Sequence, residues 1–160
     1  MKRLALLIAW LLIAPLQPCL AENLPAAAFV KSLYGEPTPE GYYQQTLNIF
    51  LPEARELYVS ARLRAALAEM DKRTPEGDAP DLDFDAVSAG NDPDVRDLKI
   101  SVESESADKA VVIADFQPHQ DAGRTVLRFL LVREGGGWKV DDIIASGKAN
   151  WRISEIVAGH

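Results

Sequence analysis

Two periodicities divide this chain. In its first half the apolar residues recur at helical spacing, as in Phe29, Val30 and Leu33, and again in Val59, Leu63, Leu67 and Met70. Beyond Asn91 the period shortens to two: Leu98, Ile100 and Val102 alternate with Lys99, Ser101 and Glu103. Ala110 to Phe116 is then β-branched and apolar, and Val126 to Arg133 and Lys139 to Ile144 follow after polar or glycine turns. Helices first and sequential strands after predict an α+β domain, with N-terminal helices packed on one face of an antiparallel sheet of about four strands.

The punctuation sets the boundaries. Asn23 is positioned to cap a helix from Pro25 to about Tyr34, with Pro25 in the first turn, where a missing N–H costs nothing, and Gly35 ends it. Two prolines in Glu36 to Gly41 forbid its continuation. Tyr42 to Phe50 is compatible with a short helix that turns Tyr43, Leu47 and Phe50 inward. A helical turn runs from Pro52 through Tyr58, and Ser60 caps the next helix, which reaches Lys72 before the break at Thr74 to Pro80. Gly135 to Gly137 join the last two long strands as a hairpin turn needing positive φ. A short closing helix over Asn150 to Val157 returns Trp151, Ile153 and Ile156 or Val157 to the sheet.

The extreme N-terminus fits neither period. Lys2 and Arg3 precede the apolar run Leu4 to Ala14, too short to span a membrane as a helix and suited to a secretory signal. Cleavage is expected after Ala21, leaving a single domain over residues 22–160 in a periplasmic or secreted compartment with no membrane span. Cys19 is the one cysteine of the chain, and Gln17 and Pro18 before it do not suit a lipid-anchoring signal. Its removal leaves packing alone to stabilise the fold.

The net charge is −7, and loss of Lys2 and Arg3 makes it more negative. Nucleic acid and anionic membrane surfaces are thereby disfavoured as partners. The acid is concentrated mid-chain, in Glu76 to Asp85 and Asp92 to Asp97, where it could steer a basic protein partner. Asp81, Asp83 and Asp85 carry the first spacings of a calcium loop, and Asp92 falls at its twelfth position. Ala86, however, replaces the required glycine, so the expected arrangement is a solvated edge with Leu82 and Phe84 turned inward and no metal. His119, in a polar turn, and His160, at the terminus, are poor sites for a rigid catalytic base, and no cofactor motif is present. Tyr42, Tyr43, Trp138 and Trp151 are the aromatic candidates for a ligand or partner surface; Tyr42 and Tyr43 are adjacent, so both cannot easily face the core.

Three stretches carry a family resemblance: Tyr58 to Leu63 with its following helix, Leu82 to Asp85 leading to Gly90, Asn91 and Asp92, and Gly136 to Ile143 with its preceding strand. Through them residues 25–157 resemble domain-of-unknown-function family 3828, small secreted bacterial proteins whose fold is similar to the cystatin-like or nuclear-transport-factor-2-like cone. Ala61 and Asn91 depart from the family pattern, which favours proline and glutamine there. The resemblance implies compartment and a curved sheet but no reaction. A cone encloses a pocket, and Asp115, Asp141 and Asp142 are the carboxylates that could serve it. Alternation aims Asp141 and Asp142 at opposite faces, and Asp142, sharing a face with Val140 and Ile144, is expected to point inward. The expected role is a non-catalytic envelope binding or accessory protein that recognises another protein through the acidic loops and Tyr42 or Tyr43. The alternative is a small-molecule binder or enzyme working through Asp115 or Asp142 in the cone.

Overall fold

The structure is a computed structural model that describes residues 24–92, 94–147 and 150–159. The expected leader, Cys19, the Asn23 cap and His160 lie outside those residues. Three helices come first: α1 (Ala26–Ser32), α2 (Pro52–Tyr58) and α3 (Ala61–Arg73). Then come β1 (Arg96–Glu105), β2 (Lys109–Gln117), β3 (Thr125–Glu134), β4 (Gly137–Ser146), β5 (Trp151–Arg152) and α4 (Ile153–Ile156). The strands pair in chain order as one five-stranded, wholly antiparallel open sheet.

Alternation explains which face is covered. Ala110, Val112, Ala114 and Phe116 of β2 and Leu127, Phe129 and Leu131 of β3 are buried, and the residues between them are only partly so. That buried face shares a core with Phe29 and Val30 of α1 and with Leu63, Leu67 and Met70 of α3. Each fully buried side chain of this size contributes roughly 1.5–3 kcal/mol, so the face holds the helices without any cross-link.

Local chemistry sets the ends. Ser60 Oγ accepts the Leu63 N–H at 3.1 Å, as an N-cap does. The hairpin turn uses two glycines rather than three: Gly135 and Gly136 have φ of 60° and 87°, as in a type I′ turn, while Gly137 already belongs to β4.

Two expectations change. Tyr42 to Phe50 forms no helix, because its backbone bonds elsewhere: Tyr43 exchanges both main-chain hydrogen bonds with Val95, and the Leu47 N–H donates to the Leu33 carbonyl at 2.8 Å. The closing segment is also not helical throughout. Trp151 and Arg152 pair with Ala145 and Ile144 as a fifth strand, which shortens α4 to a single turn.

Gly136→Ala places a side chain at φ of 87° and should lower the unfolding free energy by about 1–2 kcal/mol. Gly137→Ala should change it less. Urea denaturation monitored by tryptophan fluorescence distinguishes the two.

Candidate functional site

Strand β4 positions the acidic pair at its centre, and a bulge decides where each points. Asp142 pairs with Leu130 but Val140 pairs with Leu131, so Asp141 is an inserted residue. Leu130 and Leu131 are neighbours and face opposite ways, so Asp142 and Val140 lie on opposite faces of the sheet. The expected sharing of a face by Val140, Asp142 and Ile144 is therefore corrected: Val140 joins the helix-covered core, and Asp142 lies with Ile144 on the other face.

Asp142 is nonetheless fully buried. Its Oδ1 accepts the Ile143 and Ser154 N–H groups at 3.0 Å each, and its Oδ2 accepts Arg152 Nε and Ser154 Oγ at 2.7 Å each. Four donors occupy the carboxylate's lone pairs, so it clasps β5 and the first turn of α4 to β4. Asp141 turns instead to α3. It accepts Ser60 Oγ at 2.6 Å and a forked pair of bonds from Arg62 at 3.0 to 3.1 Å, while Glu134 accepts the Ala61 N–H at 2.9 Å. Two carboxylates thus meet the positive end of the α3 dipole. Burial pushes the Asp141 carboxyl up, but the hydrogen bonds from Arg62 and Ser60 outweigh it and hold the group below the ordinary carboxylate range.

The remaining strand carboxylate, Asp115, lies on the sheet face away from the helices and is bound by Arg124. Trp138 is buried under the Arg133 guanidinium, 4.2 Å from the ring centroid, and its indole N–H has no partner among the described residues. It also lines an apolar groove of about 480 Å³ beside the exposed Leu57. Tyr43 belongs to the core, edge-on to Tyr34, whereas Tyr42 is half-buried beneath Arg96. His119 is exposed, with Nδ1 3.0 Å from the Gln120 carbonyl.

The acidic segment is ordered by Asp85. Its Oδ1 accepts the Val87 N–H at 2.9 Å and its Oδ2 accepts Ser88 Oγ at 3.0 Å and the Thr46 hydroxyl. The Asp85 and Gly90 main chains bond each other, closing a knot that buries Ala86, Val87 and Ser88. Ala86, at the position where a calcium loop needs glycine, is packed in the core. Leu82 is buried and Phe84 packs edge-on against Trp151, while Asp81, Asp83 and Asp92 are exposed. Among the described residues no three His, Cys, Asp or Glu side chains are grouped to hold a metal.

Pro80 and Leu82 to Asp85, leading into this knot, form with Asn91 one wall of a cleft of about 910 Å³. The facing wall is residues 44–55, and Met70 lies between. Thr46 to Asp85 ties the walls together, and Arg55 braces the second wall by donating to the Phe50 carbonyl at 2.6 Å and pairing with Asp71. The lining mixes Gln44, Gln45 and Asn48 with Phe50, Leu82 and Phe84, and carries Asp83 and Asn91 on the knot side. Of the sequence candidates the cleft gathers only Asp83 and Asp85. Gln44, Gln45, Thr46, Asn48 and Arg55 were not anticipated; the polar run Gln44 to Thr46 after two tyrosines was their one local signal.

Asp142→Ala should destabilise the fold by about 2–4 kcal/mol in chemical denaturation, because it strands Arg152 and the Ser154 donors. Asp141 makes a pH-dependent contribution. Its folded pKa is depressed, so its stabilisation is present above the unfolded pKa and is lost as pH falls through the folded value. The stability difference between wild type and Asp141→Asn, measured by urea midpoints, should therefore be largest at neutral pH and vanish in strong acid. No family model, curated protein or solved structure matches this chain.

Proposed function

We propose that this is a non-catalytic binding or accessory protein of the bacterial envelope, exported by its Met1 to Ala21 leader, that recognises another protein through the cleft between residues 44–55 and 80–91. One observation carries the proposal: the division of the carboxylates between spent and open. A working acid or base needs a lone pair or proton facing its substrate. Asp142 uses its lone pairs on four donors, Asp141 is occupied by Ser60 and Arg62, and Asp115 is paired with Arg124. Neither Asp115 nor Asp142 lines the cleft, which weakens the enzyme or small-molecule alternative. The exposed acids Asp81, Asp83 and Asp92 belong instead to the cleft wall or its immediate neighbours. With a chain charge of −7 they favour a basic partner, whose encounter they accelerate. Tyr42, held under Arg96 and lining a separate pocket with Gln117, offers a second contact surface, and the adjacent Tyr43 is buried beneath it in the core.

The same proposal includes membership of domain-of-unknown-function family 3828 and its cystatin-like or nuclear-transport-factor-2-like cone. Helices before strands, and one sheet face covered by those helices, support it.

The test is affinity capture from an envelope extract with the mature protein. Wild type and Asp142→Asn should retain the same protein, the latter with a lowered melting temperature, whereas Asp81→Asn/Asp83→Asn should lose it with its melting temperature unchanged. Retention of no protein, together with binding of a metabolite by wild type but not by Asp142→Asn, overturns the reading.

A further inference from the structure

The apolar groove beside Trp138 shares no lining residue with the acidic cleft. It lies where α1, the end of α2 and the β3–β4 turn meet, and Leu24, Phe29, Leu57, Tyr58 and Trp138 give it an apolar surface. Of the four large apolar side chains exposed among the described residues, Leu24 and Leu57 both border this groove. Solvent-facing leucines gathered over a concave surface mark a place where something apolar is bound. The volume, about 480 Å³, suits one small molecule rather than a protein surface.

Two donors at this groove are unspent. Lys139 lines it, and its ammonium donates to the Glu56 and Leu57 carbonyls at 3.1 and 2.7 Å, which leaves one of its three protons free. Neither acid of the lining pairs with it: Glu56 is bound by Arg64, and Glu134 accepts the Ala61 N–H at 2.9 Å. Burial, followed by Arg64, lowers the Lys139 pKa, as expected of an ammonium short of water and of counter-charge. Trp138 supplies the second donor. Its side chain borders the groove at 3% exposure, and its buried indole N–H has no partner among the described residues. A buried donor left unpaired is costly, and a ligand oxygen would remove that cost. Consecutive residues of β4 alternate in direction, yet both border the groove, because it runs along the edge of the strand that β3 leaves open.

We infer that this groove binds a small aliphatic carboxylate, its chain laid over Leu24, Phe29, Leu57 and Trp138 and its carboxylate accepting from the Lys139 ammonium and the Trp138 indole N–H. The ligand class follows from the lining: apolar surface for a chain, and two open donors, one of them charged, for a single anionic end. An alcohol forgoes the charge, and an alkylammonium meets Lys139 with like charge. A peptide, with an amide at each residue, leaves most of them unpaired against Phe29, Leu57 and Trp138. The site goes beyond the protein-recognition cleft and does not depend on it.

The probes are decanoate, decanol and decyltrimethylammonium, each used below the concentration at which it aggregates, with the mature protein. Calorimetry gives affinity, and the magnetic resonance signal of the Trp138 indole N–H gives place. Decanoate should bind about tenfold more tightly than decanol, the ammonium should not bind, and decanoate should shift the Trp138 indole signal and leave that of Trp151 where it is. Leu57→Ser, at a position already 63% exposed, should weaken decanoate about tenfold with the melting temperature unchanged. Lys139→Met should bring decanoate to the affinity of decanol; Lys139 also holds the end of α2, and the Leu57→Ser and indole measurements stand even if that variant fails to fold. Asp81→Asn/Asp83→Asn should leave decanoate binding as it is, which separates this site from the cleft. Failure of decanoate to bind, equal binding of the three probes, or binding that leaves the Trp138 indole signal unmoved overturns the inference. Tighter binding of a short apolar peptide with a free C-terminus than of decanoate overturns it as well, since the groove then takes a chain end.

Discussion

The bulge at Asp141 is the constraint on which the rest of this structure depends. Strand β4 is bonded to β3 on one side and to the short β5 on the other, and Val140 also bridges to Val59 at the entrance to α3. One inserted residue rotates the strand between Val140 and Asp142, so that consecutive carboxylates serve different elements. Asp141 holds the first turn of α3 through Ser60 and Arg62, and Asp142 holds β5 and α4 through Arg152 and Ser154. Without the inserted residue, strict alternation would put Val140 and Asp142 on one face, and either an apolar core or a charged clasp would be lost.

This arrangement gives Asp141 and Asp142 structural partners, as Arg124 does for Asp115. Each of these three is buried or half-buried, and each is met by the donors that its charge demands. Lys139 plays the complementary part at the end of α2, where its ammonium donates to the Glu56 and Leu57 carbonyls. Burial, followed by the nearby Arg64 guanidinium, lowers the Lys139 pKa. In residues 76–92 Asp85 shapes the loop, and its neighbours Asp81 and Asp83 are left exposed. The division between structural and available acid is thus drawn by hydrogen bonding rather than by composition.

The architecture was legible where it depends on spacing over a few residues. The Ser60 cap, the face Leu63, Leu67 and Met70, and the alternation of β2 and β3 all follow from neighbours in sequence. Tyr42 to Phe50 was not legible, because its conformation is set by Val95 and Leu33, far along the chain or on another element. Trp151 and Arg152 were misread as helix for the same reason, since their pairing with Ala145 and Ile144 offers the backbone bonds that a helix would otherwise supply. The cleft was the least legible feature. Its walls come from segments some 40 residues apart, joined by the bond between Thr46 and Asp85.

By itself, then, the amino-acid order determined the α+β class, the helix-to-strand sequence, the glycine turn and the concentration of acid in mid-chain, because propensity, periodicity and charge are local or additive properties. Tertiary structure alone decided that Asp142 is a clasp away from the helices, that Tyr43 is core while Tyr42 is half-buried under Arg96, and that Gln44 to Thr46 line the same cleft as Asp83. Those outcomes turn on strand register and on which distant group reaches a donor or acceptor first. Neither is encoded in the spacing of residues along one segment.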